Sequence, residues 1–162
     1  MIQRIQSVFL FLVAAIMVTV LFLPIWNKLD LDAQEKVTLN AFKMVYSSYD
    51  EAGEATVMAS VDTFWISALA VLAAGIALFS IFQYKARLRQ MKLGALNSLI
   101  MGGCLGMTYY YSTKGDQMLN PNTVGNFEIG FYIIAAALLF NSLANRFIRK
   151  DEKLVRSADR IR

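Results

Sequence analysis

The chain has 162 residues, 57% of them hydrophobic and only 17% charged, with a net charge of +4. A water-soluble domain is usually about half apolar and a quarter charged, so this composition points to a membrane protein. One cysteine, Cys104, and no histidine exclude an internal disulfide and remove the commonest general base, transition-metal ligand and haem ligand.

A helix needs about 20 predominantly apolar residues to cross the hydrocarbon, and four stretches have that length. The first, 7–26, reads SVFLFLVAAIMVTVLFLPIW without a charge. A secretory signal has an apolar core of about 7–15 residues and a small-residue cleavage site. Here the core runs longer and exits through LPIWNKL, so the segment is expected to stay in the membrane. Residues 27–63 form the sizeable exported loop, with seven acids against Lys28, Lys36 and Lys43. Within it KVTLNAFKMVYSS and ATVMASV have strand character, and DEAGE between them suits a hairpin turn. A lone hairpin is marginal in water, so it would lie on the helices or on another protein. The acids lack the spacing of a calcium loop and read as a solvated surface.

The second span, 64–84, follows Asp62, an expected N-cap. The connection KARLRQMK leads into the third, 93–113. Ala95, Ser98, Gly102 and Gly106 make a small stripe there at helical spacing, which lets membrane helices approach closely. Packing within the chain is the first expectation and dimerisation the second. Asn97 lies near the cytoplasmic end of this span, and Asn141 and Asn145 near the same end of the fourth, 127–148. An inter-helix polar cluster is the favoured reading, a polar vestibule for a substrate the other. Cys104, among glycines mid-span, behaves as a small hydrophobe. Trp26, Trp65, Tyr109, Tyr110, Tyr111 and Phe127 all fall at outward span ends, as an interfacial belt requires. Acids stand only at the boundary, which disfavours proton-coupled transport. The tail, 149–162, places Leu154, Ala158 and Ile161 on one narrow apolar stripe, for anionic lipid or for a docking partner.

Twelve basic residues flank the amino terminus, the second connection and the tail. Only Lys28, Lys36, Lys43 and Lys114 lie on the other side, among eight acids. The excess of lysine and arginine marks the cytoplasmic face, so both termini are expected there. The same placement accounts for the basic charge without nucleic acid.

The opening MIQRIQ, entering a span directly, and the closing KDEKLVRSADRIR resemble a family of small four-span inner-membrane proteins of unknown function found chiefly in Bacteroidota. That resemblance implies a bacterial inner membrane with the acidic loop in the periplasm, and it brings no activity or site residues. The expected fold is an all-α integral membrane protein. It has a four-helix antiparallel transmembrane domain (1–148), room for one small β-hairpin, and a basic cytoplasmic tail (149–162). No nucleophile–base pair, thiol pair, phosphate loop or metal cluster is visible, so neither an enzyme nor a cofactor is expected. The expected role is a non-catalytic accessory or scaffold subunit, in contact with the bilayer and with a membrane or cytoplasmic protein. The alternative is a small channel or transporter built as a homo-oligomer.

Overall fold

The structure, a computed structural model, describes residues 2–50, 53–84 and 86–159. The first apolar run forms α1 (Ile2–Thr19) and one 3-10 turn, Val20–Phe22. Proline drives the residue before it out of the α region. Ahead of Pro24, Leu23 is accordingly extended, at φ −105° and ψ 147°. The helix therefore stops short of Trp26, which opens a strand.

From there the chain builds β1 (Trp26–Asp30), β2 (Glu35–Leu39), β3 (Lys43–Tyr49) and β4 (Ala55–Asp62). A two-residue strand, β5 (Asn126–Phe127), returns from far along the chain. All pairs are antiparallel, in the order β4-β3-β2-β1-β5. This corrects the all-α expectation: among the described residues the protein is mixed, four helices and a five-stranded sheet. The expected hairpin is present as the antiparallel pair β3–β4. Residues 36–48, however, are two strands, folded back where the Asn40 N–H donates to the Lys43 carbonyl at 2.9 Å. The larger sheet has a physical reason, since a hairpin gains independent stability from further strands and a helix to rest on.

The remaining helices are α2 (Phe64–Phe82), α3 (Arg87–Asp116) and α4 (Ile129–Asp159). Asp62 ends β4 rather than capping α2. Thr63 takes the cap position, its hydroxyl turned to the Asn40 carbonyl at 2.9 Å. Among the described residues three helices are long and apolar enough to cross a membrane, over Ile5–Phe22, Phe64–Phe82 and Ile129–Val155. The expected third span is helical but falls outside this group. Its inward face carries Asn97, Thr108 and Ser112, and its glycines add little apolar surface.

The helices pack in a ring, α1 against α2 and α4, and α3 against α2 and α4. Neighbours run antiparallel. Phe9 near the start of α1 stacks on Phe147 late in α4, ring centres 5.6 Å apart, and Gln90 early in α3 bonds Ser80 late in α2. Leu10, Val13, Met17, Ile66, Ala73, Met101 and Ile134 are among the residues that fill the ring's centre.

The sheet covers the end where α1 and α3 finish and α2 and α4 begin. Cys104 Sγ lies 3.8 Å from the Ile66 carbonyl, which sets α3 against the first turn of α2. The rest of α3, about 18 Å at 1.5 Å per residue, stands beyond that level, and β1 and β2 rest on it.

Candidate functional site

At the end of the bundle away from the sheet, polar side chains from all four helices turn inward. Asn141 Nδ2 donates to the Gly94 carbonyl and to Ser98 Oγ, both at 2.8 Å. The Asn145 carboxamide packs directly on Gly94, where a Cβ would overlap it. Gln90 Nε2 donates to the Ser80 carbonyl at 3.1 Å. Asn97 is buried, and neither atom of its carboxamide has a hydrogen-bond partner; Asn141 Oδ1, Asn145 Oδ1, Gln90 Oε1, Ser80 Oγ and Gln6 Nε2 are also orphaned. The expected residues Asn97, Asn141 and Asn145 thus lie at one end of the bundle, with Asn141 tied to α3. Gln6, Ser80, Gln90 and Gly94 were not anticipated. The signal for Gln90 and Gly94 was present: with Asn97, Met101 and Cys104 they repeat at the helical interval.

The small stripe behaves otherwise. Ser98 is half-buried, but Ala95, Gly102 and Gly106 face outward, and nothing lies within 4 Å of a Cβ at Gly102 or Gly106. Packing within the chain therefore does not use them, and the close approach is at Gly94 instead. The aromatic belt also needs correction. Trp65, Tyr109 and Tyr110 are exposed, joined by Phe22, Phe64 and Tyr132, whereas Trp26 and Tyr111 are buried.

Trp26 is buried because it holds the sheet to the helices. A Cβ at Gly115 would lie 2.7 Å from its ring, and one at Gly125 would overlap it. Two residues on, Lys28 is fully buried, with Nζ 2.8 Å from the Asp116 carbonyl and 2.9 Å from Asp116 Oδ1. A cation at a helix C-terminus also complements the helix dipole. Asn27 donates to the Glu128 carboxylate ahead of α4, and the Glu128 N–H donates to the Ile25 carbonyl at 2.9 Å. On β3, a hydrogen bond to the Glu35 carboxylate, with burial adding to it, raises Tyr46 above its ordinary pKa of 10.0.

Away from this junction the sheet is open. β4 is one edge strand and the two-residue β5 the other; in β4 residues 55–60 are exposed, including Val57 and Met58 at 61% each. An edge strand offers a row of backbone donors and acceptors that another strand can pair with. Ala55 to Val61 contains no charge and no proline to discourage this.

Beyond the ring, α4 continues to Asp159. Leu154 is exposed on it. The Ala158 side chain and all of Ile161 lie outside the described residues, so the expected docking stripe is seen only at Leu154. Arg87 joins this extension to the start of α3, its Nε 3.0 Å from Asp151 Oδ2.

The chain belongs to a protein family defined by a domain of unknown function, DUF4293, whose family model matches residues 2–161. A comparison with curated proteins found no match.

Proposed function

We propose that the protein is a multi-pass subunit of a bacterial inner membrane, both termini cytoplasmic, serving as a non-catalytic accessory or scaffold. Its sheet stands on the periplasmic side and takes an extended segment of a partner protein along β4. The observation that carries this reading is β4 itself: eight residues long, charge-free over most of its length, exposed, and without a neighbour on one side. Strand addition at such an edge draws affinity from main-chain hydrogen bonds and specificity from alternate side chains. The concentration of lysine and arginine at the opposite end supports the orientation.

The test is site-specific photocrosslinking from position 58 in native membranes, with position 29 on β1 as the control. One discrete protein adduct from position 58 is expected, lost when Val57 and Met58 are both changed to lysine. Adducts of equal yield from both positions, or survival of the adduct in the lysine variant, would remove the edge-strand reading. Turnover by the purified chain alone would remove the non-catalytic one.

A second reading is a small oligomeric channel or transporter. It is favoured by the orphaned polar atoms of Asn97, Asn141, Asn145 and Gln90 inside the bundle, since buried polar groups without partners mark places where water or a polar solute belongs. Solute flux in proteoliposomes, abolished by Asn97→Leu, would establish it, and absence of flux would end it.

A further inference from the structure

In sequence the stretch after Asn145 mixes its charges, R-F-I-R-K-D-E-K. The fold separates them. Asp151 and Glu152 turn to Arg87, at 3.0 and 3.9 Å. Arg146, Arg149, Lys150 and Lys153 are exposed elsewhere on α4, where with Ser142 and Asn145 they line a groove of about 670 Å³. Among the described residues no carboxylate is ion-paired with any of these four cations. Acids that sequence places within reach have been taken up by a residue from another part of the chain. What remains is a concave surface of uncompensated positive charge.

Its height along α4 indicates what it meets. Arg146 stands about 25 Å from Ile129 at 1.5 Å per residue, and a hydrocarbon core is about 30 Å thick. The four cations therefore straddle the far hydrocarbon–headgroup boundary, and their aliphatic stems can lie along apolar surface while the charges reach the headgroups. We infer that this groove binds the phosphate of an anionic phospholipid on the cytoplasmic leaflet. Arginine supplies paired N–H donors for phosphate oxygens and lysine a mobile point charge. The inference rests on the proposed membrane orientation, not on the β4 partner.

The experiment is native mass spectrometry of the detergent-purified full chain, titrated with phosphatidylglycerol, phosphatidylcholine and inorganic phosphate. Each is compared with a variant carrying Arg146→Gln, Arg149→Gln, Lys150→Gln and Lys153→Gln, and with an Arg89→Gln, Lys92→Gln control. Cations near an anionic surface each add to its attraction, so the fourfold variant should weaken phosphatidylglycerol binding by more than about tenfold. The control should retain it, and phosphatidylcholine should bind more weakly throughout. Equal binding of the two lipids, no loss in the fourfold variant, or displacement by millimolar inorganic phosphate would each overturn the assignment. Alkaline carbonate extraction of native membranes separates the two levels. A chain that stays with the membrane but shows no lipid preference refutes only the groove, whereas a chain released without detergent refutes the membrane reading.

Discussion

Lys28, in the middle of β1, reaches the last residue of α3, Asp116, with Nζ 2.9 Å from its carboxylate and 2.8 Å from its backbone carbonyl. The pair is asymmetric: the Lys28 side chain is fully buried and the Asp116 side chain is 54% exposed. Removing the buried partner frees a carboxylate that water can solvate. Removing the exposed one takes the counter-charge from a buried cation and leaves it only the Asp116 carbonyl. Asp116→Ala should therefore cost about 3 kcal/mol, while Lys28→Met, which keeps the volume and removes the charge, should cost about 1 kcal/mol or less. Thermal unfolding of the two variants in one detergent checks the order, and equal losses would show that the ammonium is not confined as described.

Glycines of α3 divide in the same way. Gly94→Ala forces a methyl group into the Asn145 carboxamide and should destabilise by about 1–3 kcal/mol. Gly102→Ala and Gly106→Ala meet open space and should leave stability unchanged or raise it by up to about 1 kcal/mol, the helix-propensity gain of alanine over glycine. Denaturation of the three variants side by side measures this. A large loss at Gly102 or Gly106 would mean that the outward face is covered by another molecule.

Two asparagines at similar depth should respond with opposite sign. Asn141→Leu breaks bonds to Gly94 and Ser98 and should cost about 0.6–1.7 kcal/mol, the range for polar contacts between membrane helices. Asn97→Leu removes a buried carboxamide with no partner, so it should leave stability unchanged or raise it. A loss at Asn97 as large as that at Asn141 would indicate that water or a solute occupies the bundle and bonds both.

Tyr46 offers a pH test. Its folded pKa lies above the ordinary 10.0, chiefly through the hydrogen bond to Glu35. With the folded value raised, the stability this group adds is complete below pH about 10 and is lost as pH climbs through the folded pKa. Ultraviolet difference titration should show one tyrosine ionising later than the solvent-exposed ones. Glu35→Gln should bring it back toward 10.0. No change in that variant would disprove the hydrogen bond.

The apolar runs were legible because helix length and hydropathy are local properties. All four predicted spans are helical for most of their length, and β3 and β4 pair as the expected hairpin. β1 was missed for a definite reason. A strand is read from alternation with apolar residues inward, yet here Lys28 and Asp30 are buried while Leu29 and Leu31 are exposed. The pattern is inverted because Lys28 answers to Asp116, and nothing near it in sequence announces that. For the same reason Trp26 read as a belt residue, although it fills the space left by Gly115 and Gly125. Of the polar cluster, Asn97, Asn141 and Asn145 stood out because they interrupt apolar runs. Gln6 and Gln90, lying beside the runs, did not.

By itself the sequence determined that the chain has apolar helices of membrane-crossing length, an acidic segment between the first two, and most of its positive charge at the opposite ends. Those are sums over neighbouring residues, and hydrophobic transfer responds to such sums. The tertiary structure decided the five-stranded sheet, the burial of Lys28, the close approach at Gly94 and the separation of acids from bases along α4. Each of these depends on a partner far away in the chain, and the free energy of a contact belongs to the pair that makes it.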